Sequence, residues 1–295
     1  MKVRSAAASI VFSLFLMSCA DAPPDPGAGG GIDHSTAGHD VLVRVAFEGG
    51  FTTREWTLTS LPSLSLYGDG TLVLPGAQIE LYLPGAQIEL YPGPALPSIS
   101  TRTVTEDGIQ ATLEEVLRSI DGVPDEMLDM GSVGLADVPT TVITIRAGDV
   151  DRTIKVYGLS ELTERPQHMS DEEFQARGRL QQLVTKLEGL TTWLPDGSLG
   201  AETSYEGSGA RLFVGDYRKV DLPQEPITWP LEGGLDHFGG VTSGSDPYRC
   251  GVVEGVDWAA LRASATRANE LTPWTEAGAR FSILFRPLLP DESGC

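Results

Sequence analysis

Short stretches in which apolar and polar residues alternate occur along most of the chain. Residues 41–47 are rich in valine and end at a Gly-Gly pair, as β-strands often do. Leu64 and Leu66 alternate with serines, and the Asp69-Gly70 pair that follows suits the positive φ angles of a tight turn. This pattern predicts a β-hairpin over residues 61–74. Further strands are predicted at residues 140–147, 152–157, 212–214 and 281–285.

Three other segments place apolar residues at helical spacing. The first helix is predicted to start at Thr105 and to stop at Gly122 and Pro124. The second follows Ser170, which forms a capping box with Glu173, and the third follows Asp257 as its N-cap. The predicted core-facing residues are Ile109, Leu113, Val116, Leu117, Ile120, Phe174, Leu180, Leu183, Val184, Leu187, Trp258, Leu261 and Ala265.

Strands and helices follow one another here without regular βαβ alternation. The sequence therefore predicts an α+β fold with mostly antiparallel sheet and about three amphipathic helices.

A tandem repeat interrupts this pattern, because residues 74–82 recur without a change as residues 83–91. Each copy reads as a Pro-Gly turn followed by an alternating strand. The two copies could form a hairpin that adds an edge to the sheet, or one copy could be a recent duplication that loops out. Surface insertions cost little free energy, and two copies are too few for a solenoid, so the looped-out interpretation is favoured.

The N-terminus has the layout of a secretory signal. Lys2 and Arg4 precede an apolar run that ends in Leu16-Met17-Ser18-Cys19. The run is too short for a membrane-spanning helix, which needs roughly 20 apolar residues. Leu16 to Cys19 resembles the lipobox of bacterial prolipoproteins. This resemblance implies cleavage after Ser18, a lipid on Cys19 and attachment to a membrane through that lipid.

A second resemblance lies in the predicted hairpin. The block from Leu61 to Thr71, which reads Leu-Pro-x-x-x-Leu-Tyr-Gly-Asp-Gly-Thr, is similar to one in uncharacterised secreted bacterial lipoproteins. That family has no assigned activity, so the resemblance implies no catalytic residues.

Composition divides the chain into three parts. Residues 1–18 are the signal peptide, residues 19–40 are a Pro/Gly-rich flexible tether, and residues 41–295 are the α+β extracytoplasmic domain. One compact unit is preferred for this domain, and two lobes divided near Pro166 are the alternative. His34 and His39 in the tether could bind a metal ion transiently, but a plain tether is the favoured interpretation.

The charge balance limits the classes of partner that the protein is expected to bind. The chain has 41 acidic and 21 basic residues, a formal net charge of −20. This balance disfavours nucleic acid and direct docking on anionic lipid, since both attract positive charge.

The cysteines support export to an oxidising compartment. If Cys19 carries lipid, Cys250 and Cys295 remain as a pair, and a disulfide between them is expected. Free thiols fit export poorly, and two cysteines without a nearby histidine make a poor zinc site.

One Gly-rich loop could carry chemistry. His237 lies beside Asp236 and near Ser243, which permits a Ser-His-Asp hydrolase. No Gly-x-Ser-x-Gly elbow accompanies them, so an ordinary histidine in a glycine-rich loop is the favoured interpretation. Trp193, Trp229 and Trp274, each close to a proline or in a loop, could stack on a ligand, but covering the edge of the core is the favoured role.

The function predicted from sequence is that of a lipid-anchored extracytoplasmic protein. It binds an unknown protein or small ligand without catalysis, and a surface hydrolase working around His237 is the alternative. No cofactor and no metal are expected, since phosphate loops, dinucleotide fingerprints and zinc motifs are missing from the sequence.

Overall fold

The strands of the protein form two main sheets and a separate hairpin. The computed structural model describes residues 30–76, 80–83, 86–89, 91–130, 136–241 and 248–295. The strands are β1 (Val41–Glu48), β2 (Leu64–Tyr67), β3 (Thr71–Pro75), β4 (Glu80–Leu83), β5 (Ala86–Glu89), β6 (Ile99–Thr103), β7 (Glu126–Met127), β8 (Thr140–Ala147), β9 (Val150–Tyr157), β10 (Thr203–Ser204), β11 (Gly209–Asp216), β12 (Ile227–Thr228), β13 (Gly240–Val241), β14 (Arg249–Glu254), β15 (Trp274–Glu276) and β16 (Ala279–Pro287).

The α-helices are α1 (Arg54–Thr59), α2 (Glu106–Ile120), α3 (Asp171–Glu188) and α4 (Gly255–Ala265). Two short 3₁₀ turns add Leu190–Thr192 and Leu235–His237. Among the described residues, no helix is both long enough and apolar enough to cross a membrane.

The first sheet has the strand order β10-β6-β3-β2-β1-β8-β9-β7 and is antiparallel except where β7 meets β9. Its β2–β3 hairpin, with Leu66 opposite Leu72, confirms the turn predicted at Asp69-Gly70. Of the two predicted positive φ angles, Gly70 has one, of 82°, and Asp69 does not. One face of this sheet packs against α2 and α3, and together they bury the larger core, which includes Leu42, Leu113 and Leu180.

Both helices on this face begin as their sequence predicts. The hydroxyl of Thr105 accepts a hydrogen bond from the Gly108 amide, and the hydroxyl of Ser170 accepts one from the Glu173 amide at 3.1 Å. These bonds satisfy amides that the first helical turn leaves without partners.

The second sheet has the order β12-β15-β16-β11-β14-β13, antiparallel except between β12 and β15. Helix α4 covers one face of it and buries Trp258 and Leu261 against Trp274 and Phe285. The helix starts at Gly255, so the predicted cap at Asp257 was wrong, and Asp257 lies in the first turn instead. A carboxylate there still interacts favourably with the helix dipole.

These elements confirm an α+β fold with mostly antiparallel sheet and three helices that bury an apolar face. Helix α1 was not predicted, since its six residues bury no side chain and show no apolar stripe. The disulfide between Cys250 and Cys295 is also confirmed, with the two Cα atoms 6.0 Å apart.

The tandem repeat forms a hairpin of its own. The backbone of β4 pairs with that of β5, with Leu81 opposite Ile88, in a two-stranded sheet separate from the other two. The two copies therefore pair with each other over the described residues, and they do not extend the edge of a main sheet. Residues 77–79, 84, 85 and 90 of the repeat lie outside the described part.

One compact unit extends from Ile32 to Cys295 and so includes residues 32–40, which the sequence predicts as part of the tether. Gln110 of α2 exchanges two hydrogen bonds with the backbone of Ile32, at 2.7 and 2.9 Å, and the Gly148 amide donates to the carbonyl of Asp33. These partners hold a segment whose composition alone suggests disorder.

The larger core is continuous across Pro166, where the alternative interpretation divides the domain into two lobes. Strand β9 lies before Pro166 and helix α3 lies after it, yet Val156 and Leu180 belong to the same core. The second sheet, with its own core, begins only at Gly209.

His34 fixes the start of the domain. Its side chain is 4% exposed. Nδ1 lies 2.7 Å from the Ser35 carbonyl and Nε2 lies 3.0 Å from the carboxylate of Glu106. Both partners are hydrogen-bond acceptors, so the protonated imidazole, which donates from both nitrogens, is the form that satisfies both contacts. Burial lowers the pKa of His34, but these two bonds outweigh it and the pKa is raised.

The stability that His34 contributes should therefore depend on pH. A raised folded-state pKa gives a contribution that is complete below the unfolded pKa of about 6.5 and disappears as pH rises through the folded pKa. We expect His34→Gln to destabilise the protein more at pH 5.5 than at pH 8.5, measured by urea unfolding. The exposed His237→Gln is the control and should change little at either pH. An equal loss for His34→Gln at both values would contradict a protonated His34.

Candidate functional site

In the glycine-rich loop of the hydrolase alternative, the described residues form no cleft around His237. The side chain of His237 is 90% exposed, and its Nε2 lies 3.6 Å from the carboxylate of Asp236, which is also exposed. Ser243 lies outside the described residues. A general base acts on a proton within hydrogen-bond reach in a site that positions the substrate, and solvent surrounds His237 instead.

The packing of this loop explains the exposure of His237. Leu235 is fully buried, and the ring of Phe238 packs edge-on against Trp229 at 6.0 Å. With both flanking side chains held in the core, the short 3₁₀ turn leaves Asp236 and His237 pointing outward. Within the described residues, the exposed position of His237 gives the hydrolase alternative no support.

The loop tryptophans are part of the packing. Trp229 and Trp274 are buried and meet edge to face at 6.2 Å. Trp193 packs against the first core and donates from Nε1 to the carbonyl of Lys186 at 2.8 Å. The rings of Trp229 and Trp274 are therefore not accessible for stacking on a ligand, whereas Trp193 is only partly buried.

The most distinctive cavity in the described part of the chain is an open groove of 650 Å³ between α1 and the exposed face of the second sheet. We call it the arginine groove. It is lined by Arg54, Thr57, Leu58, Ser60, Arg211, Phe213, Gly240, Cys250, Arg286 and Cys295. Three arginines and no acidic side chain line it, in a chain with nearly twice as many acidic as basic residues.

Neighbouring strands place two of these arginines side by side. Arg211 of β11 is the direct cross-strand partner of Arg286 of β16. Leu212 and Phe285, their neighbours in sequence, point to the opposite face and into the core. Like charges opposite each other on a sheet destabilise it, so this pair needs an anionic partner.

The C-terminal segment, residues 288–295, supplies one such partner. The carboxylate of Glu292 accepts hydrogen bonds from both terminal nitrogens of Arg286, at 2.5 and 2.7 Å, and from the Leu289 amide. Arg286 Nε also donates to the carbonyl of Ser60, just after α1. Burial raises the pKa of Glu292, but the bonds to Arg286 outweigh it and the pKa is lowered.

The same segment holds the two sheets together. Asp291 accepts hydrogen bonds from Arg44 of β1, at 2.6 and 2.9 Å, and from the hydroxyl of Tyr67 at 2.8 Å. Burial raises the pKa of Asp291, yet these partners keep it below its usual value. Burial likewise raises the pKa of Tyr205 to about 12, and its hydroxyl donates to the Leu288 carbonyl. Asp291 is fully occupied by these contacts and lies outside the groove lining.

Comparison with known protein families, with curated proteins and with solved structures finds no match. The chemistry of the groove therefore has to be read from its own side chains.

The neighbours of Arg211 satisfy fewer of its N–H groups than those of Arg286 do. Its Nε donates to the carbonyl of Gly294 at 2.7 Å, while Nη1 lies 3.9 Å from Glu292. The described residues offer its two terminal nitrogens no acceptor within hydrogen-bond distance. Burial lowers the pKa of Arg211, and the adjacent Arg286 guanidinium lowers it further against the opposing effect of Glu292 and Asp291.

Sequence reasoning missed this site for an identifiable reason. Alternation in residues 210–214 and 281–287 predicts that Arg211 and Arg286 lie on the face opposite the core. The sequence does not predict the register of β11 and β16 that makes them cross-strand partners. Across the described ranges, no group of three or more His, Cys, Asp or Glu side chains is placed to hold a metal ion.

Proposed function

We propose that this protein is a lipid-anchored extracytoplasmic protein that binds a ligand in the arginine groove without catalysing its conversion. The observation that carries the anchoring part is the use of the three cysteines. Cys250 and Cys295 form a disulfide, which is typical of an oxidising compartment, and this leaves Cys19 at the end of the signal-like segment. An acylated Cys19 would attach the domain to the membrane surface.

The groove supports binding in preference to catalysis. It offers the hydroxyls of Thr57 and Ser60, but among its lining residues there is no histidine, aspartate or glutamate side chain to take a proton from them. Arginines are poor general bases because they stay protonated, whereas they bind anions well. The lining therefore suits holding a ligand.

Substitution of Cys19 tests the anchor. We expect Cys19→Ala to abolish incorporation of a labelled fatty acid and to release or mislocalise the protein in membrane fractionation, because the acylated thiol is gone. Ser18→Ala keeps a small residue before the cysteine and should retain both label and membrane association. Unchanged labelling of Cys19→Ala, or a purified native protein whose mass shows an intact leader or an unmodified start, would refute the anchor.

A further inference from the structure

We propose that the arginine groove binds an oxyanion, a carboxylate or a phosphate group, carried by a small soluble ligand. This inference rests on the proposed binding function and names the ligand class for the same groove.

The fold places three positive charges around the groove. Arg211 and Arg286 are direct cross-strand partners, and Arg54 of α1 lies across the groove from them. Glu292 is the acidic side chain that contacts this pair, and it is bound on both oxygens by Arg286. The side chain of Glu292 thus brings one negative charge to the two adjacent guanidinium groups. A bound anion would offset the remaining positive charge.

Arg211 has hydrogen-bond donors that the protein itself does not use. A guanidinium has five N–H groups in a planar fork that matches the oxygens of carboxylate and phosphate. Arg211 uses Nε on the Gly294 carbonyl, so its terminal N–H groups are available to a ligand in the groove. Its side chain is 20% exposed, which leaves it accessible but largely shielded from bulk water. Charge-assisted hydrogen bonds are stronger in such surroundings.

The size and lining of the groove suit a small organic ligand. Its 650 Å³ falls within the roughly 300–1,000 Å³ of small-molecule sites. The side chains of Leu58 and Phe213 line it beside the arginines and offer apolar contact to the carbon part of a ligand. A small organic acid or phosphate ester, with an oxyanion on Arg211 and its carbon frame against Phe213, fits this lining.

The geometry favours a soluble ligand over a membrane surface. Arg286 is 9% exposed and Arg211 20%, so both lie recessed in the groove. A flat array of headgroups does not reach into a recess as a small molecule does, and the formal net charge of −20 opposes approach to an anionic bilayer.

Calorimetric titration of the full-length lipoprotein in non-ionic detergent tests the proposal, with inorganic phosphate and succinate as probes at low salt. We expect saturable binding of at least one probe and at least tenfold weaker binding by Arg211→Gln. Arg280→Gln is the matched control, since Arg280 is an exposed arginine on β16, the strand of Arg286, and lies roughly 20 Å from Arg286. It should bind as the unaltered protein does.

A melting curve without ligand separates loss of the site from loss of the fold. Arg211→Gln removes a like-charge contact, so its melting temperature should stay level or rise. If neither probe binds, or if Arg211→Gln binds as tightly as the unaltered protein, the oxyanion proposal is overturned.

Mixed micelles containing phosphatidylglycerol test the membrane alternative. A response to these micelles that needs Arg211, without a response to either free anion, would assign the groove to a lipid headgroup and overturn the proposal of a soluble ligand. Fatty-acid labelling reports on the anchor and binding heat on the groove, so the anchoring part of the proposed function and this inference can fail separately.

Discussion

Replacing Cys250 and Cys295 together with serine should lower the free energy of unfolding by about 4 kcal/mol. The two residues are 45 apart in sequence, and the chain-entropy model values closure of a loop of that size at about this amount. The bond also holds the end of the C-terminal segment, in which Asp291 binds Arg44 and Glu292 binds Arg286. Urea unfolding followed by tryptophan fluorescence measures the loss.

Reduction provides the control for the cysteine replacement. Dithiothreitol should bring the unaltered protein down to the stability of the double variant, and it should leave the variant itself unchanged. A double variant within 1 kcal/mol of the unaltered protein would show that the ion pairs hold the C-terminal segment without the bond.

The elements that sequence predicted are those whose signals are local. The Asp69-Gly70 turn and the caps at Thr105 and Ser170 each need only a few neighbouring residues to be recognised. The same is true of the two-residue spacing that puts Phe281 and Ile283 on one face of β16. The cysteine pair was predictable because three cysteines and a signal-like segment leave few arrangements.

What sequence could not predict depends on distant partners. Residues 32–40 look like a linker by composition, but Gln110 and Glu106 of α2 bind Ile32 and His34 across more than 70 positions of sequence. Arg211 and Arg286 form one site only because β11 pairs with β16 in a particular register. Neither the partner nor the register is encoded in the alternation of either strand alone.

Helix α3 carries a buried charged residue that helical periodicity alone does not explain. Its apolar stripe correctly gives Leu180, Leu183, Val184 and Leu187 as buried. Arg177 lies on the same stripe and is 2% exposed, although arginine is almost never fully buried unless it is paired. Periodicity identifies the face of the helix, but only the surrounding carbonyl groups explain how a charged side chain can lie on it.

Arg177 connects α3 to the segment after β7. Its terminal nitrogens donate to the carbonyls of Tyr157 at 2.8 Å, Met127 at 2.9 Å and Asp129 at 3.4 Å, and its Nε donates to Glu173 at 3.1 Å. Removing the guanidinium would take a donor from the buried carbonyl of Met127 and from two part-buried carbonyls, and it would leave the carboxylate of Glu173 without its counter-charge. Each buried polar group that loses its partner costs roughly 1–3 kcal/mol.

We therefore expect Arg177→Met to destabilise the protein by about 3 kcal/mol, near the lower end of the range for breaking a buried ion pair. Glu173 is one-third exposed and regains water, which keeps the loss from being larger. Arg179→Met is the matched control on the same helix, because Arg179 is exposed and makes one 3.2 Å bond to the Asp121 carbonyl. It should change stability by no more than about 0.5 kcal/mol. Equal losses for the two variants in urea unfolding would show that the carbonyl contacts of Arg177 contribute nothing beyond helix propensity.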